Sequence, residues 1–120
     1  MKRDMELIRK ILLAIEDSPT GYAPRDLAID GYTAEQFGYH AHLMLEAGLV
    51  RGADATTRSS GPNATIFGLT WKGHEFAEAA RDESRWKNAM GIVKEKGGSI
   101  TMDVLKDLLT SLMRSAIGLP

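Results

Sequence analysis

The chain has 120 residues, a length that suits one domain able to bury its own core without a metal ion or a disulfide. Apolar residues make up 43% and charged residues 26%, with a net charge of −1, which is typical of a soluble globular protein and excludes a disordered or membrane-spanning chain. The absence of cysteine excludes disulfides, thiolate metal sites and cysteine nucleophiles. We expect a cytoplasmic location, since the first residues do not have the pattern of a secretory signal.

Charge is unevenly distributed along the chain. Residues 1–50 carry five Lys or Arg against eight Asp or Glu, whereas residues 51–75 carry three against two. The linear sequence shows no basic stripe of the kind usual in proteins that read duplex DNA. The acidic balance of the first fifty residues favours a protein partner, because acidic surfaces can occupy a site that normally holds nucleic acid.

The first quarter of the chain combines one clear helical pattern with one ambiguous segment. Apolar residues recur at spacings of three and four over residues 4–17, which predicts a helix, and Pro19 ends it because the residue before a proline is pushed out of the helical region. In residues 24–31, Leu27 and Ile29 alternate with polar or small side chains. We expect a short strand there, while a single helical turn beginning at residue 24 is an open alternative.

Residues 33–47 predict a second helix, around which the rest of the chain is arranged. Thr33 is followed three positions later by Gln36, a capping box in which each side chain satisfies a free N–H group at the start of the helix. Gly38 costs on the order of 1 kcal/mol relative to alanine inside a helix, so we expect either close packing or a nearby ligand backbone at this position. The inward stripe is expected to consist of Phe37, Ala41 and Met44, continued by Leu45.

A hairpin is predicted after this helix. Residues 49–55 and 64–70 have the composition of strands and flank a turn-rich linker. Gly61 in that linker supplies the special backbone angles that a tight turn requires. Together the two strands form a hairpin of the kind called a wing.

Helical patterns fill the remainder of the chain. Thr70 can cap a helix from residue 71 to about residue 87, with a pattern that can extend to Val93. Gly97 and Gly98 interrupt it, and a last amphipathic helix runs to about residue 116.

This order of elements predicts a mainly α, α+β fold that is winged-helix-like, with a small β-hairpin wing and additional C-terminal helices. We expect a winged-helix-like domain over residues 1–96. Residues 97–120 then supply a C-terminal amphipathic helix that either packs on the core or mediates a homodimer. The candidate dimerisation residues on that helix are Leu105, Leu108, Leu109 and Leu112.

Three separated segments resemble one known family. They are residues 1–16, residues 31–50 and the segment LTWKGHEF at residues 69–76, which is followed by Arg81, Asp82 and Trp86. In this order they resemble the bacterial and phage domain of unknown function numbered 2513. The resemblance covers about residues 1–115 and implies a small protein often carried by phages and mobile elements.

A looser similarity concerns the central helix and the strand that follows it. The segment HAHLMLEAGLV at residues 40–50 is similar to the recognition helix and strand entry of the arsenic-repressor and multiple-antibiotic-resistance-repressor winged-helix families. This similarity implies DNA binding. The candidate residues near base edges are then Gln36, Tyr39 and His42, and the candidates for phosphate contacts are the wing arginines Arg51 and Arg58.

The patterns that usually indicate catalysis or metal binding are missing from the sequence. His40 and His42 are two positions apart on one helix and point to different sides, so we expect structural or surface roles for them. His74 is expected to hydrogen-bond a wing carbonyl. There is no Gly-x-Ser-x-Gly elbow, Walker loop, dinucleotide fingerprint or zinc-binding helix signature. We therefore expect no enzymatic activity, no cofactor and no metal ion.

Two functions are consistent with these patterns. The first is a non-enzymatic module of phage or mobile-element type that binds DNA as a regulator, with a homodimer formed through the C-terminal helix. The alternative is a phage-encoded inhibitor that binds a host defence or transcription complex through an acidic and aromatic face. The expected partner is thus DNA or a host protein, and no membrane partner is expected.

Overall fold

The computed structural model describes residues 1–120 and contains five helices and one two-stranded antiparallel sheet. In chain order the elements are α1 (Met5–Glu16), α2 (Ala34–Glu46), β1 (Val50–Asp54), β2 (Ala64–Leu69), α3 (Trp71–Ala80), α4 (Glu83–Glu95) and α5 (Met102–Ala116). This arrangement confirms the expected mainly α, α+β fold with a small hairpin and additional C-terminal helices. The chain divides into two compact units, Met1–Ala77 and Glu78–Pro120. The domain boundary expected after residue 96 stays a prediction.

Helix α1 supplies a wide apolar face to the first unit. Asp4 caps the helix, because its Oδ1 atom accepts the backbone N–H of Glu6 at 2.9 Å. The helix packs against α2 and β2. Its buried apolar residues are Leu7, Ile8, Ile11, Leu12 and Ile15, none more than 4% exposed. The helix expected over residues 4–17 is confirmed.

The predicted capping box begins α2. The Gln36 backbone N–H donates to Thr33 Oγ1 at 3.1 Å, and the Thr33 backbone N–H donates to Gln36 Oε1 at 2.8 Å. The buried residues of the helix are Gly38, His40, Ala41 and Met44. The expected inward stripe is therefore right for Ala41 and Met44, whereas Phe37 and Leu45 are only half-buried.

Close packing accounts for Gly38 in the middle of α2. A Cβ atom at this position would lie 2.8 Å from Oδ1 of Asn63, the residue just before β2. That oxygen also accepts the backbone N–H of Ala64 at 2.9 Å, so the amide cannot turn away without losing this bond. Of the two explanations expected for the glycine, close packing is the one that the structure confirms.

The hairpin follows the predicted course. Strands β1 and β2 pair from Val50 with Leu69 at one end to Asp54 with Ala64 at the other. The turn is closed where the Gly61 backbone N–H donates to the Thr57 carbonyl oxygen at 2.9 Å. Gly61 has a φ of 70°, the left-handed conformation expected for this glycine.

The short strand expected over residues 24–31 is wrong, and residues 24–31 do not form a helix either. Just before the segment, the Ala23 backbone N–H donates to the Phe67 carbonyl oxygen at the edge of β2, at 2.7 Å. Beyond that bond the chain turns, and the Tyr32 backbone N–H donates to the Ile29 carbonyl oxygen at 3.2 Å. Proline, aspartate and glycine in the segment favour turns over a continued ladder, so the alternation of apolar residues was misleading.

The single helix expected from residue 71 to about residue 87 is in fact two helices. α3 ends at Ala80 and α4 begins at Glu83, because Asp82 adopts an extended backbone conformation and its side chain accepts the Arg85 backbone N–H at 2.8 Å. An aspartate that caps a new helix competes with continuation of the old one. At the start of α3 the predicted cap is confirmed, since the Gly73 backbone N–H donates to Thr70 Oγ1 at 3.0 Å.

The second unit contains α4 packed against α5. Gly97 and Gly98 both have positive φ angles and separate the two helices, as expected. Thr101 caps α5 by accepting the Val104 backbone N–H at 3.3 Å. The last helix is therefore confirmed with the predicted break before it.

Candidate functional site

A cleft of about 530 Å³ lies in the first unit between the hairpin, α2 and the segment that connects α1 to α2. We call it the hairpin cleft, and its chemically distinctive lining residues are Tyr22, Arg25, Phe37, Arg51, Thr65 and Phe67. Its volume falls within the range of about 300–1,000 Å³ typical of ligand sites. The lining includes two arginines and three aromatic residues but no acidic residue.

A bulge in β2 sets the position of Phe67. The consecutive pairs are Arg51 with Gly68 and Gly52 with Ile66, so Phe67 is an extra residue on β2. A bulge bends its strand and re-aims the extra side chain. Gly52 permits the local close approach, because a Cβ atom there would collide with the backbone of the opposite strand. The bulge leaves Phe67 48% exposed at the cleft.

Glycine in β2 also makes room for Arg51. A Cβ atom on Gly68 would lie 2.9 Å from an Nη atom of Arg51 and 2.7 Å from the carbonyl oxygen of Gly21. The Arg51 Nε–H donates to the Leu69 carbonyl oxygen at 3.4 Å, a long hydrogen bond that nevertheless directs the side chain along the strand. The guanidinium is thus positioned in the cleft by the sheet itself.

The segment before α2 also contributes residues to the lining of the cleft. Ala23 is attached to β2 through the Phe67 carbonyl oxygen, and the preceding Tyr22 backbone N–H donates to Thr20 Oγ1 at 3.2 Å. Tyr22 is 70% exposed although its ring is largely apolar. Arg25 follows in the same segment and is exposed. These two hydrogen bonds hold the backbone that carries Tyr22 and Arg25 beside the edge of β2.

Two arginine side chains in this region have no partner within the protein. Neither Arg25 nor Arg58 makes a side-chain hydrogen bond or an ion pair, and both are exposed. Arg58 lies in the turn of the hairpin that carries Arg51 on its first strand. Because Arg51 and Arg58 are seven residues apart in the chain, their backbones are at most about 23 Å from each other at 3.3 Å per residue. Arg51 and Arg58 are therefore close enough to contact one extended polyanion.

The residues predicted on α2 have mostly intramolecular partners. Gln36 Oε1 is engaged in the capping box, and the Tyr39 ring meets the His40 ring edge to face, with centroids 5.6 Å apart. His42 Nε2 lies 3.0 Å from a carboxylate oxygen of Glu46. None of Gln36, Tyr39 and His42 lines the hairpin cleft, so the structure does not bring them together with Arg51.

The surroundings of His42 are acidic. Its Nδ1 atom lies 3.8 Å from a carboxylate oxygen of Asp54 on β1, whereas Glu46 is close to the other ring nitrogen, Nε2. Hydrogen bonds from the Thr56 hydroxyl and backbone N–H lower the pKa of Asp54, and the latter bond measures 2.9 Å. The Asp54 carboxylate therefore persists to lower pH than an ordinary one. This part of the surface attracts cations rather than phosphates.

The other two histidines have structural contacts. His40 is 1% exposed; its Nε2 atom accepts the Asp4 backbone N–H at 2.8 Å, and its Nδ1 atom lies 2.8 Å from the Gln36 carbonyl oxygen. His74 does not meet a wing carbonyl as expected, because its Nδ1 atom lies 3.5 Å from a carboxylate oxygen of Glu16. The chain has no group of three or more side chains arranged to hold a metal ion.

The four leucines predicted for dimerisation differ in exposure. Leu105 and Leu109 are completely buried within the single chain, so their side chains belong to its core. Leu108 and Leu112 are partly exposed. Only the second pair offers surface to another copy of the chain.

Comparisons with known proteins place the chain in a family. A family model described as "Hypothetical protein (DUF2513)" matches residues 2–99. The chain belongs to the DUF2513 family. This membership confirms the resemblance of the three sequence segments, and the matched region contains the whole hairpin cleft.

One relative extends the similarity beyond the residues that the DUF2513 model matches. An uncharacterized protein from Haemophilus influenzae is 30% identical over 116 residues, which cover 94% of this chain and 96% of its own length. No solved structure matches the chain, and the similarity to winged-helix repressor families is not confirmed. None of the helices is both long and apolar enough to span a bilayer.

Three cleft residues were missed by the sequence reasoning: Tyr22, Arg25 and Phe67. Phe67 and Thr65 are two positions apart in β2, and this alternation was a readable signal for an exposed aromatic on the outer face. Tyr22 and Arg25 fall in the segment with the weakest pattern. Their position depends on the backbone bond between Ala23 and β2, for which the sequence has no local signal.

Proposed function

We propose that this DUF2513 protein is a non-enzymatic module that binds DNA through its hairpin, with Arg51 and Arg58 in contact with phosphates. The observation that carries the proposal is the hairpin cleft, where Arg51 is held by the sheet and no lining residue is acidic. A cation without a competing carboxylate keeps its charge available to an anionic ligand. Arg58, which has no partner in the protein, extends the same hairpin toward a second phosphate.

The proposal moves the centre of DNA contact from α2 to the hairpin. The sequence predicted Gln36 and His42 at base edges. In the structure, however, the Gln36 side chain is occupied in a helix cap and the His42 ring lies between two carboxylates. Phosphate contacts position a protein on DNA without reading its sequence. The module is therefore expected to bind DNA with little sequence preference. This is the behaviour of a regulator, carried by a phage or mobile element, that coats DNA without recognising a specific sequence.

A salt-titrated binding assay tests the proposal. Fluorescence anisotropy with a labelled duplex of mixed sequence is measured for the wild type, Arg58→Ala and the Arg51→Ala/Arg58→Ala double variant. Each lost phosphate contact is expected to reduce the slope of log K against log salt concentration by about 0.9. The matched control is Lys87→Ala, which removes an exposed cation from α4 in the second unit.

The control is expected to keep both the affinity and the salt slope of the wild type. Full affinity in the double variant would refute the assignment of the phosphate contacts. Equal losses in Lys87→Ala and Arg58→Ala would show that net charge matters rather than the hairpin.

A second candidate function is a protein-binding inhibitor, and the acidic face of α2 favours it. Glu35 is exposed in the first turn of the helix, while Glu46 and Asp54 flank His42 with their side chains 63% and 59% exposed. Such a face suits a basic surface on a host protein. The test is capture of a stoichiometric host protein by the wild type and its loss in Glu35→Lys. Recovery of DNA alone from host lysate would contradict this function.

Dimerisation through α5 belongs to the first proposal. Leu108 and Leu112 are partly exposed at spacing four and form the row that a second copy would cover. Mass measurement in solution is expected to give twice the chain mass for the wild type and the single chain mass for Leu108→Ser/Leu112→Ser. A monomeric wild type at the concentrations used for DNA binding would remove the dimer from the proposal.

A further inference from the structure

The hairpin cleft exposes aromatic surface that the fold could have covered. Tyr22 is 70% exposed and Phe67 is 48% exposed, and both line the cleft together with the half-buried Phe37. Leaving apolar area in water forgoes about 25 cal/mol for every Å². The β-bulge that aims Phe67 at the cleft also needs a glycine on the opposite strand. The bulge and Gly52 thus keep Phe67 exposed at the cleft.

The polar groups of the cleft select an anion. Arg25 has no partner in the protein, and Arg51 is held along β2 with its Nη atoms beside Gly68. Thr65 also lines the cleft, and its hydroxyl makes no hydrogen bond within the protein. A ligand that satisfies all of these groups combines an aromatic ring with a negative charge and a hydrogen-bond acceptor. A nucleotide has that combination.

The geometry distinguishes a single strand from a duplex. In a duplex the faces of the bases are covered by their neighbours, so a protein ring can stack only on a base that has left the stack. A cleft of about 530 Å³ has room for one such base with its sugar and phosphate, and not for a double helix. The aromatic rings of the cleft would therefore be unused by duplex DNA.

We propose that the hairpin cleft binds one unstacked base of a single-stranded nucleic acid, which stacks against Tyr22 and Phe67 while Arg25 and Arg51 contact the adjoining phosphates. This inference rests on the proposed function, since it takes nucleic acid to be the ligand class. It adds that the preferred form is single-stranded. Stacking on a protein ring tolerates any base, so sequence preference is expected to be weak.

The experiment uses the full chain and three fluorescently labelled probes. The first is an oligothymidine just long enough to occupy one cleft, and the second is the same strand with a single abasic position at its centre. The third is the duplex of this oligothymidine with oligoadenosine. The wild type is expected to bind oligothymidine more tightly than the other two probes. Loss of one stacked base corresponds to about a 5- to 150-fold weaker Kd. Equal Kd values for oligothymidine and the abasic strand would overturn the inference.

Variants of the cleft provide a second readout. Tyr22→Ala is expected to weaken oligothymidine binding by the same factor as the abasic position, and the two changes together are expected to cost no more than either alone. Tyr22→Phe should retain wild-type affinity, because it keeps the ring. The matched control is Trp71→Ala, which removes an aromatic side chain that is 82% exposed but does not line the cleft. An unchanged Kd in Tyr22→Ala, or an equal loss in Trp71→Ala, would overturn the inference.

The charged groups are tested by salt dependence. Arg25→Ala is expected to reduce the slope of log K against log salt by about 0.7, the value for one phosphate contact on a single strand. An unchanged slope would remove Arg25 from the site and overturn the inference as stated. Competition by a peptide rich in aspartate and tyrosine, at the affinity of oligothymidine, would assign the cleft to a protein partner and overturn it as well.

The failure of this inference can be separated from the failure of the proposed function. If Tyr22→Ala binds every probe like the wild type while Arg58→Ala loses duplex affinity, the base site is wrong and the DNA-binding module stands. If the wild type binds no probe at low salt, both are wrong.

Discussion

Replacing His40 by alanine tests the link between α1 and α2. The His40 side chain is 1% exposed and connects the cap residue of α1 to the first turn of α2. Its Nε2 atom accepts the Asp4 backbone N–H, so Nδ1 carries the proton that is donated to the Gln36 carbonyl oxygen; both distances are 2.8 Å. Alanine removes both hydrogen bonds and leaves a cavity in place of the ring.

The expected loss of stability follows from these contacts. Each intramolecular hydrogen bond contributes roughly 1 kcal/mol net, and a buried donor left without an acceptor costs about 1–3 kcal/mol. Because the Asp4 N–H is only part-buried, the lower end of that range applies. We therefore expect His40→Ala to lower the free energy of unfolding by about 3 kcal/mol, with about 1 kcal/mol from each of the two contacts and about 1 kcal/mol from the cavity, which is a fall in Tm of about 12 °C for a chain of this length.

Urea unfolding followed by circular dichroism measures this difference. The matched control is His42→Ala on the same helix, which removes a half-buried ring and its pairing with an exposed carboxylate, and is expected to cost less than about 1 kcal/mol. His40→Gln is expected to fall between the two, since its amide oxygen can still accept the Asp4 N–H. A His40→Ala variant within about 1 kcal/mol of the wild type would refute the structural role assigned to the ring.

Three further predictions concern α2 and the hairpin. Met44→Asp is expected to unfold the first unit, because Met44 is 1% exposed and an unpaired carboxylate would be buried there; an unchanged melting curve would show that α2 is oriented differently. Gly52→Ala is expected to destabilise the bulge by about 2 kcal/mol and to shift the amide resonances of β2, since a Cβ atom would meet the Thr65 carbonyl oxygen. Asp54 has a lowered pKa through its hydrogen bonds to Thr56, so the folded state favours the carboxylate. The stability advantage of the wild type over Asp54→Asn is thus expected near neutral pH and should disappear as the pH falls through that lowered pKa; a gap that persists in acid would contradict the assignment.

The sequence predicted those parts of the fold that depend on residues only a few positions apart in the chain. Thr33 and Gln36 are three positions apart and form their capping box within α2, and Gly61 takes the positive φ of the hairpin turn. Such features need few long-range contacts, so local patterns were sufficient. The break at Asp82 was also local, but an aspartate inside a helical pattern is compatible with a solvated face as well as with a new cap.

The cleft depended on contacts between residues far apart in the chain. Phe67 is aimed by a bulge whose position is set by the pairing of two strands, and Ala23 meets β2 more than forty residues away in sequence. Burial of His40 likewise depends on Asp4 from another helix. Neither the register of a bulge nor the partner of a buried ring leaves a periodic signal, so among the residues that line the cleft only Arg51 was predicted as a binding residue.

The two surfaces of the first unit differ in charge, and this difference bears on how nucleic acid would approach. Glu35 and Glu46 on α2 would repel the phosphates of a duplex laid along that helix, whereas Arg25 and Arg51 would attract those of a strand in the cleft. Screening at physiological salt limits each effect to about 8 Å, so the two surfaces act locally despite the near-zero net charge of the chain. A flexible strand can follow the cleft and avoid α2, while a stiff duplex has less freedom to do so. If the chain binds nucleic acid, the charge pattern would therefore favour a single strand over a duplex, in addition to any effect of the exposed rings.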